Sequence, residues 1–77
     1  MQLTYSAEWQ DENANEATLA ICGYHGRTLW VSREDAYRWI VLDADRAIVE
    51  MGREGDEGDA RDAAEEAIRR HAARTNG

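Results

Sequence analysis

The sequence predicts an α+β domain: an antiparallel β-meander of four to five strands with one C-terminal helix packed on one face. Three patterns point to it. Leu3, Tyr5, Ala7 and Trp9 alternate with polar residues, the period of a half-buried strand. Residues 17–32 and 36–52 each divide into two apolar runs separated by turn chemistry, as hairpins do. Ala60, Ala64, Ala67, Ile68 and His71 then fall at i, i+4, i+7, i+8 and i+11, one stripe of a helix.

Taken in order, residues 2–9 form the first strand, and 10–16, polar and turn-rich, form a loop. In 17–32 the turn falls at Tyr24-His25-Gly26, and two registers fit. A two-residue turn at His25-Gly26 pairs Ile21 with Trp30 and Cys22 with Leu29. A three-residue loop pairs Ile21 with Leu29 and Leu19 with Val31. The second is preferred, because it gathers the aliphatics on one face and puts Gly26 at a left-handed position. Trp30 then points to the other face, beside Ala20 and Cys22.

Residues 33–53 support two readings. Ser32 to Asp35 fits a capping box ahead of a helix over 34–42. Tyr37 to Leu42 is aromatic and β-branched, which favours a strand. A hairpin over 36–52 accounts for both halves and is preferred. It pairs Leu42 with Ala47 and Ile40 with Val49 on one face, leaving Trp39, Val41 and Ile48 on the other. Residues 53–59 are an acidic, glycine-containing loop. A helix follows over about 60–74, with Asp59 as N-cap, Asp62 in its first turn, and Arg69, Arg70 and Arg74 near its C-terminus, all complementing the macrodipole. Residues 75–77 are expected to fray. The helix covers one sheet face, and the expected open face carries Trp30, Trp39, Val41 and Ile48, joined by Tyr37.

Seventy-seven residues make one small domain, 1–77, with a core near the lower limit for independent stability. The formal charge is −7 and the pI near 4.6. A conventional nucleic-acid binder needs a basic footprint, and an anionic membrane surface would repel this chain. An acidic surface suits a basic protein partner. Cys22 is alone, which excludes an internal disulfide and predicts a reducing, cytoplasmic setting. No signal peptide and no spanning apolar run is read.

No catalytic constellation stands out, and the expectation is a protein that is not an enzyme. Cys22 and His25 have a metal-like spacing but no second ligand pair, so no metal and no cofactor is expected. One Cys and two His are a thin basis for a nucleophilic triad.

The feature that remains is the acidic run Glu54, Asp56, Glu57, Asp59, Asp62, Glu65 and Glu66, broken only by Arg61. Asp59 and Asp62 serve the helix terminus, and Glu65 and Glu66 lie off the apolar stripe. The expected partner surface is therefore Glu54, Asp56 and Glu57, joined by Asp11, Glu12 and Glu16, with Trp30 and Trp39 as aromatic anchors.

Tyr37-Arg-Trp-Ile-Val-Leu-Asp, with Ile48-Val-Glu-Met-Gly52 and Asp59-Ala-Arg-Asp-Ala-Ala-Glu-Glu-Ala-Ile68, resembles the hairpin-then-helix ending of many short phage and prophage proteins. Among these it is similar to the small acidic anti-CRISPR proteins, in size, charge and strand–helix order over about residues 36–74. No family site residue aligns onto this chain. The resemblance implies a DNA mimic in a bacterial host cell, an inhibitor that covers the basic nucleic-acid-binding surface of a CRISPR effector. Two features depart from that pattern: a charge of −7 is modest for a DNA mimic, and the Arg residues along 27–46 interrupt the negative field. The alternative is a structural or adaptor module acting as a homodimer through its apolar sheet face.

Overall fold

Five strands and one helix make up the computed structural model, which describes residues 9–76. The strands are β1 (Gln10–Asn13), β2 (Glu16–Ile21), β3 (Tyr24–Val31), β4 (Ala36–Leu42) and β5 (Ile48–Glu54). They pair antiparallel in the order β1-β2-β3-β4-β5. Helix α1 (Glu57–Asn76) lies across one face. This is the α+β meander that the patterning predicts. The strand expected over residues 2–8 lies outside the described residues. No helix among those described is long and apolar enough to cross a membrane.

Four local expectations are corrected. Residues 10–13, expected to be loop, are strand β1. Its polar side chains suit an edge, where the ladder to β2 is joined by a Thr18 hydroxyl donating to Glu12 (2.8 Å). The β2–β3 turn sits at Cys22-Gly23 in place of the expected loop at 24–26, with Ile21 opposite Tyr24. Cys22 (φ 55°) and Gly23 (φ 79°) are both left-handed, as a type I′ turn requires. Gly26 serves packing: a Cβ there would meet Ile68 Cδ1 at 3.3 Å and Trp9 Cη2 at 3.4 Å.

Residues 36–42 are strand, preceded by a single 3-10 turn at Ser32–Glu34 that closes on a left-handed Asp35 (φ 52°). The β4–β5 register differs from the expected one. Leu42 pairs with Ile48 and Ile40 with Met51, with an irregularity that leaves Val49 unpaired. The loop at 43–47 fixes it. Asp43 Oδ1 accepts from the Asp45 and Ala47 amides, and the Arg46 amide donates to the Asp43 carbonyl. Lastly, the helix begins at Glu57 and its N-cap is Asp56, in place of the expected Asp59. The Asp56 carbonyl accepts from Ala60 N (3.0 Å) and its carboxylate from Asp59 N (3.3 Å).

The largest correction concerns which face the helix covers. Trp39 and Val41, expected on the open face, form the core with Leu19, Ala60, Ala64, Ala67 and Ile68. Alternation along each strand assigns the rest. Thr28, Trp30 and Tyr37 share the helix-bearing face. Leu29, Ile40, Leu42 and Met51 share the uncovered face with Arg27, Arg38 and Arg53.

The turn gives a direct test. Cys22 holds a left-handed position that favours Asn, so Cys22→Asn is expected to raise unfolding stability by about 0.5 kcal/mol. Gly23→Ala is expected to lower it by about 1 kcal/mol. Urea unfolding of both variants checks the pair of signs.

Candidate functional site

Helix α1 starts directly after β5, and the acidic run of the sequence wraps around that junction. The structure divides its carboxylates into two groups.

The first group is used internally. Asp56 caps the helix. Glu57 and Asp11 converge on one guanidinium: Arg61 Nη2 lies 3.0 Å from Glu57 Oε2 and 3.0 Å from Asp11 Oδ1. The same Arg61 sits over the Trp9 ring, 5.5 Å from its centroid, and Trp9 Nε1 donates to Glu65 Oε2 (2.7 Å). This cluster pins β1 to the helix. Asp11 and Glu57 are brought together as expected, but with their charge partly neutralised. Glu12 and Glu16 are not brought to them. They stand on the uncovered face, where Glu12 holds Thr18 and Glu16 pairs with Arg27.

The second group is free. Asp59, Asp62 and Glu66 are exposed and make no ion pair among the described residues. Their i, i+3, i+7 spacing places them on one stripe beside the buried alanine stripe. With Glu54, Ala63, Glu65 and Arg69 they line a shallow groove of about 610 Å³ between the end of β5 and the helix. Arg69 is the only cation in that lining and lies 3.6 Å from Glu65. The spacing of these three acids is legible in the sequence, but reading Asp59 as the cap hides their common direction.

Aromatic side chains continue across the sheet from Glu54, at one end of the groove. Tyr37 is opposite Glu54 on β5 and opposite Trp30 on β3, so Trp30, Tyr37 and Glu54 form one row on the helix-bearing face. The Trp30 and Tyr37 rings stack at a tilt, with centroids 4.9 Å apart, and both are half-buried. Trp30 thus keeps part of its side chain open to solvent. Trp39 does not: it is 7% exposed, in the core.

Farther along the helix, Glu50 meets Arg70 (3.0 Å) and His71 Nε2 (2.9 Å). The Arg70 hydrogen bond, opposed by burial and aided by His71, holds the Glu50 carboxyl below its ordinary value of 4.5. The bonds of Glu34 to Arg38 (3.1 and 2.5 Å) do the same for Glu34. A carboxyl depressed in the folded state stabilises the fold fully above its unfolded pKa, and that contribution is lost as pH falls through the folded value. Stability is therefore expected to drop as pH is lowered below about 4.5. Glu50→Gln is expected to flatten part of that drop while lowering stability at pH 7. Thermal melts between pH 7 and pH 3 measure both.

Cys22 is exposed in its turn, and His25 lies on β3. Among the described residues no three His, Cys, Asp or Glu side chains gather where they could hold a metal ion. No protein-family model matches the chain, and no curated protein or solved structure is significantly similar to it.

Proposed function

We propose that this chain is a non-enzymatic binding protein. Its acidic groove, flanked by Trp30 and Tyr37, covers a basic nucleic-acid-binding surface on a protein partner. The carrying observation is the set Glu54, Asp59, Asp62 and Glu66, four carboxylates without an ion-pair partner among the described residues, in one groove, with the half-buried Trp30–Tyr37 pair next to Glu54 on the sheet. Carboxylates in such an array stand in for phosphates opposite Arg and Lys and accelerate docking through long-range attraction. The aromatic pair supplies the apolar anchor that charge alone lacks.

Together with the resemblance in size, charge and element order, this favours an inhibitor of the anti-CRISPR kind, which keeps target DNA out of a bacterial CRISPR effector. Relative to the sequence reading, the partner surface keeps Glu54 and Trp30, gains Tyr37, Asp59, Asp62 and Glu66, and loses Trp39, Glu12 and Glu16, together with Asp56, which caps the helix, and Asp11 and Glu57, which pair with Arg61.

The test is competition. Purified guide-loaded CRISPR effectors of different types are each mixed with labelled target DNA and increasing amounts of this protein. Loss of DNA binding by at least one effector is expected. Undiminished DNA binding by all of them overturns the inhibitor reading.

A further inference from the structure

We propose that the uncovered sheet face is a self-association surface, and that its occupant is a second copy of this chain stacked face to face. Leu29, Ile40, Leu42, Ile48 and Met51 lie on that face. Ile40 is directly opposite Met51 and Leu42 opposite Ile48, so these four are cross-strand neighbours in one patch. Ile48 and Met51 are its most open members, at 56% and 48% exposure. Large apolar side chains clustered this way on a small acidic domain mark an interaction surface.

Size and charge select the occupant. Five strands at ~4.8 Å spacing and ~3.3 Å per residue give a face of roughly 500 Å² in projection. With side-chain relief this approaches the ~800 Å² per subunit of a stable dimer. The patch is flanked along the strands by unlike charges. At one end Arg38 and Arg53 share the single carboxylate of Glu34, two cations to one anion. At the other end the β4–β5 loop carries Asp43, Asp45 and Arg46, two anions to one cation. A two-fold axis crossing the strands between the Ile40–Met51 and Leu42–Ile48 pairs lays patch on patch. It also sets each molecule's Arg38–Arg53 end over its partner's Asp43–Asp45 end. The interface is then isologous and closed, with two sheets packed as in a sandwich. A basic partner would meet the arginine end unfavourably, and an acidic one the aspartate end, whereas a second copy satisfies both. Both helices face outward, so each acidic groove stays free.

Sedimentation equilibrium of the full chain from about 1 μM to about 1 mM tests this. A monomer–dimer equilibrium is expected. Ile48→Glu with Met51→Glu changes only exposed positions, so the fold survives, and the dissociation constant is expected to rise roughly tenfold or more. Leu29→Ser, two strands in from the edge, is expected to weaken the dimer as well. Arg53→Asp is expected to weaken it and Asp45→Arg, added to it, to restore it. A monomer at every concentration overturns the proposal. So does a dimer indifferent to the Ile48 and Met51 changes, and so does one that responds to them but not to Leu29→Ser, which would be edge pairing through β5.

Discussion

Replacing Trp39 with alanine is expected to remove about 3–5 kcal/mol of unfolding free energy. A chain of this length holds roughly 4–12 kcal/mol in total, so the variant should be largely unfolded near 37 °C. Trp39 is 7% exposed and packs with Leu19, Val41 and the alanine stripe of α1. Ala60, Ala64 and Ala67 bring the helix close to the sheet but bury little surface each, and one large side chain fills the space between. No other residue of the described core has that volume. Trp39→Phe is expected to cost much less. It keeps a ring in place and deletes an indole N–H that is buried without a hydrogen-bond partner among the described residues. Urea unfolding followed by circular dichroism ranks the three proteins.

Gly52→Ala should be the most costly addition of a single methyl group to this protein, at about 1–3 kcal/mol. Gly52 lies opposite Trp39 on the edge strand, and the indole folds across it. A Cβ at residue 52 would stand 2.6 Å from Trp39 Cε2 and Cζ2. Flat aromatic atoms held by a core cannot move aside as a flexible chain end can. The penalty therefore belongs to the pair. With Trp39→Leu in the background, Gly52→Ala should be nearly neutral, and the double-mutant cycle should show an interaction of more than about 1 kcal/mol. Equal costs in both backgrounds would mean that Gly52 is required for its own backbone and not for Trp39.

The same pair shows what the sequence could and could not reveal. The strand at 36–42 and the helix stripe were legible because alternation and 3.6-residue spacing are local. The division of β4 into Trp39 with Val41 and Ile40 with Leu42 was legible for the same reason. Which of those faces meets the helix is not legible locally, because it depends on a turn. Moving the β2–β3 turn from 24–26 to 22–23 changes the register by an odd number of residues, which exchanges the faces of β3. Trp30 thereby joins the helix side, and Leu29 and Val31 leave it. A signal for the right choice was present. Arg27, Arg38 and Arg53 share a face with Leu29, Ile40 and Met51, and a face holding three arginines is the one that the helix leaves uncovered. Gly26 and Gly52 also mark the side approached by Ile68 and Trp39.

The acidic surface was legible as composition and only partly as geometry. Arg61 reads in the sequence as a break in the run. In the fold it is the guanidinium that draws in Asp11 and Glu57 and removes them from the set of free charges. Asp56 does the capping that the sequence assigns to Asp59. One shift of three residues in the helix start thus frees Asp59, and with it the stripe continued by Asp62 and Glu66.

The most direct test of the acidic groove as the contact surface is the salt dependence of inhibition for the triple variant Asp59→Arg, Asp62→Arg, Glu66→Arg. These side chains are exposed, so circular dichroism should report an unchanged fold. Against an effector that the wild-type protein inhibits, the wild type should lose affinity as salt rises from about 50 to about 500 mM, as screening requires. The triple variant should bind at least about tenfold more weakly at low salt and show little further response. A triple variant that inhibits as well as wild type, with the same salt dependence, would contradict the acidic groove as the contact surface.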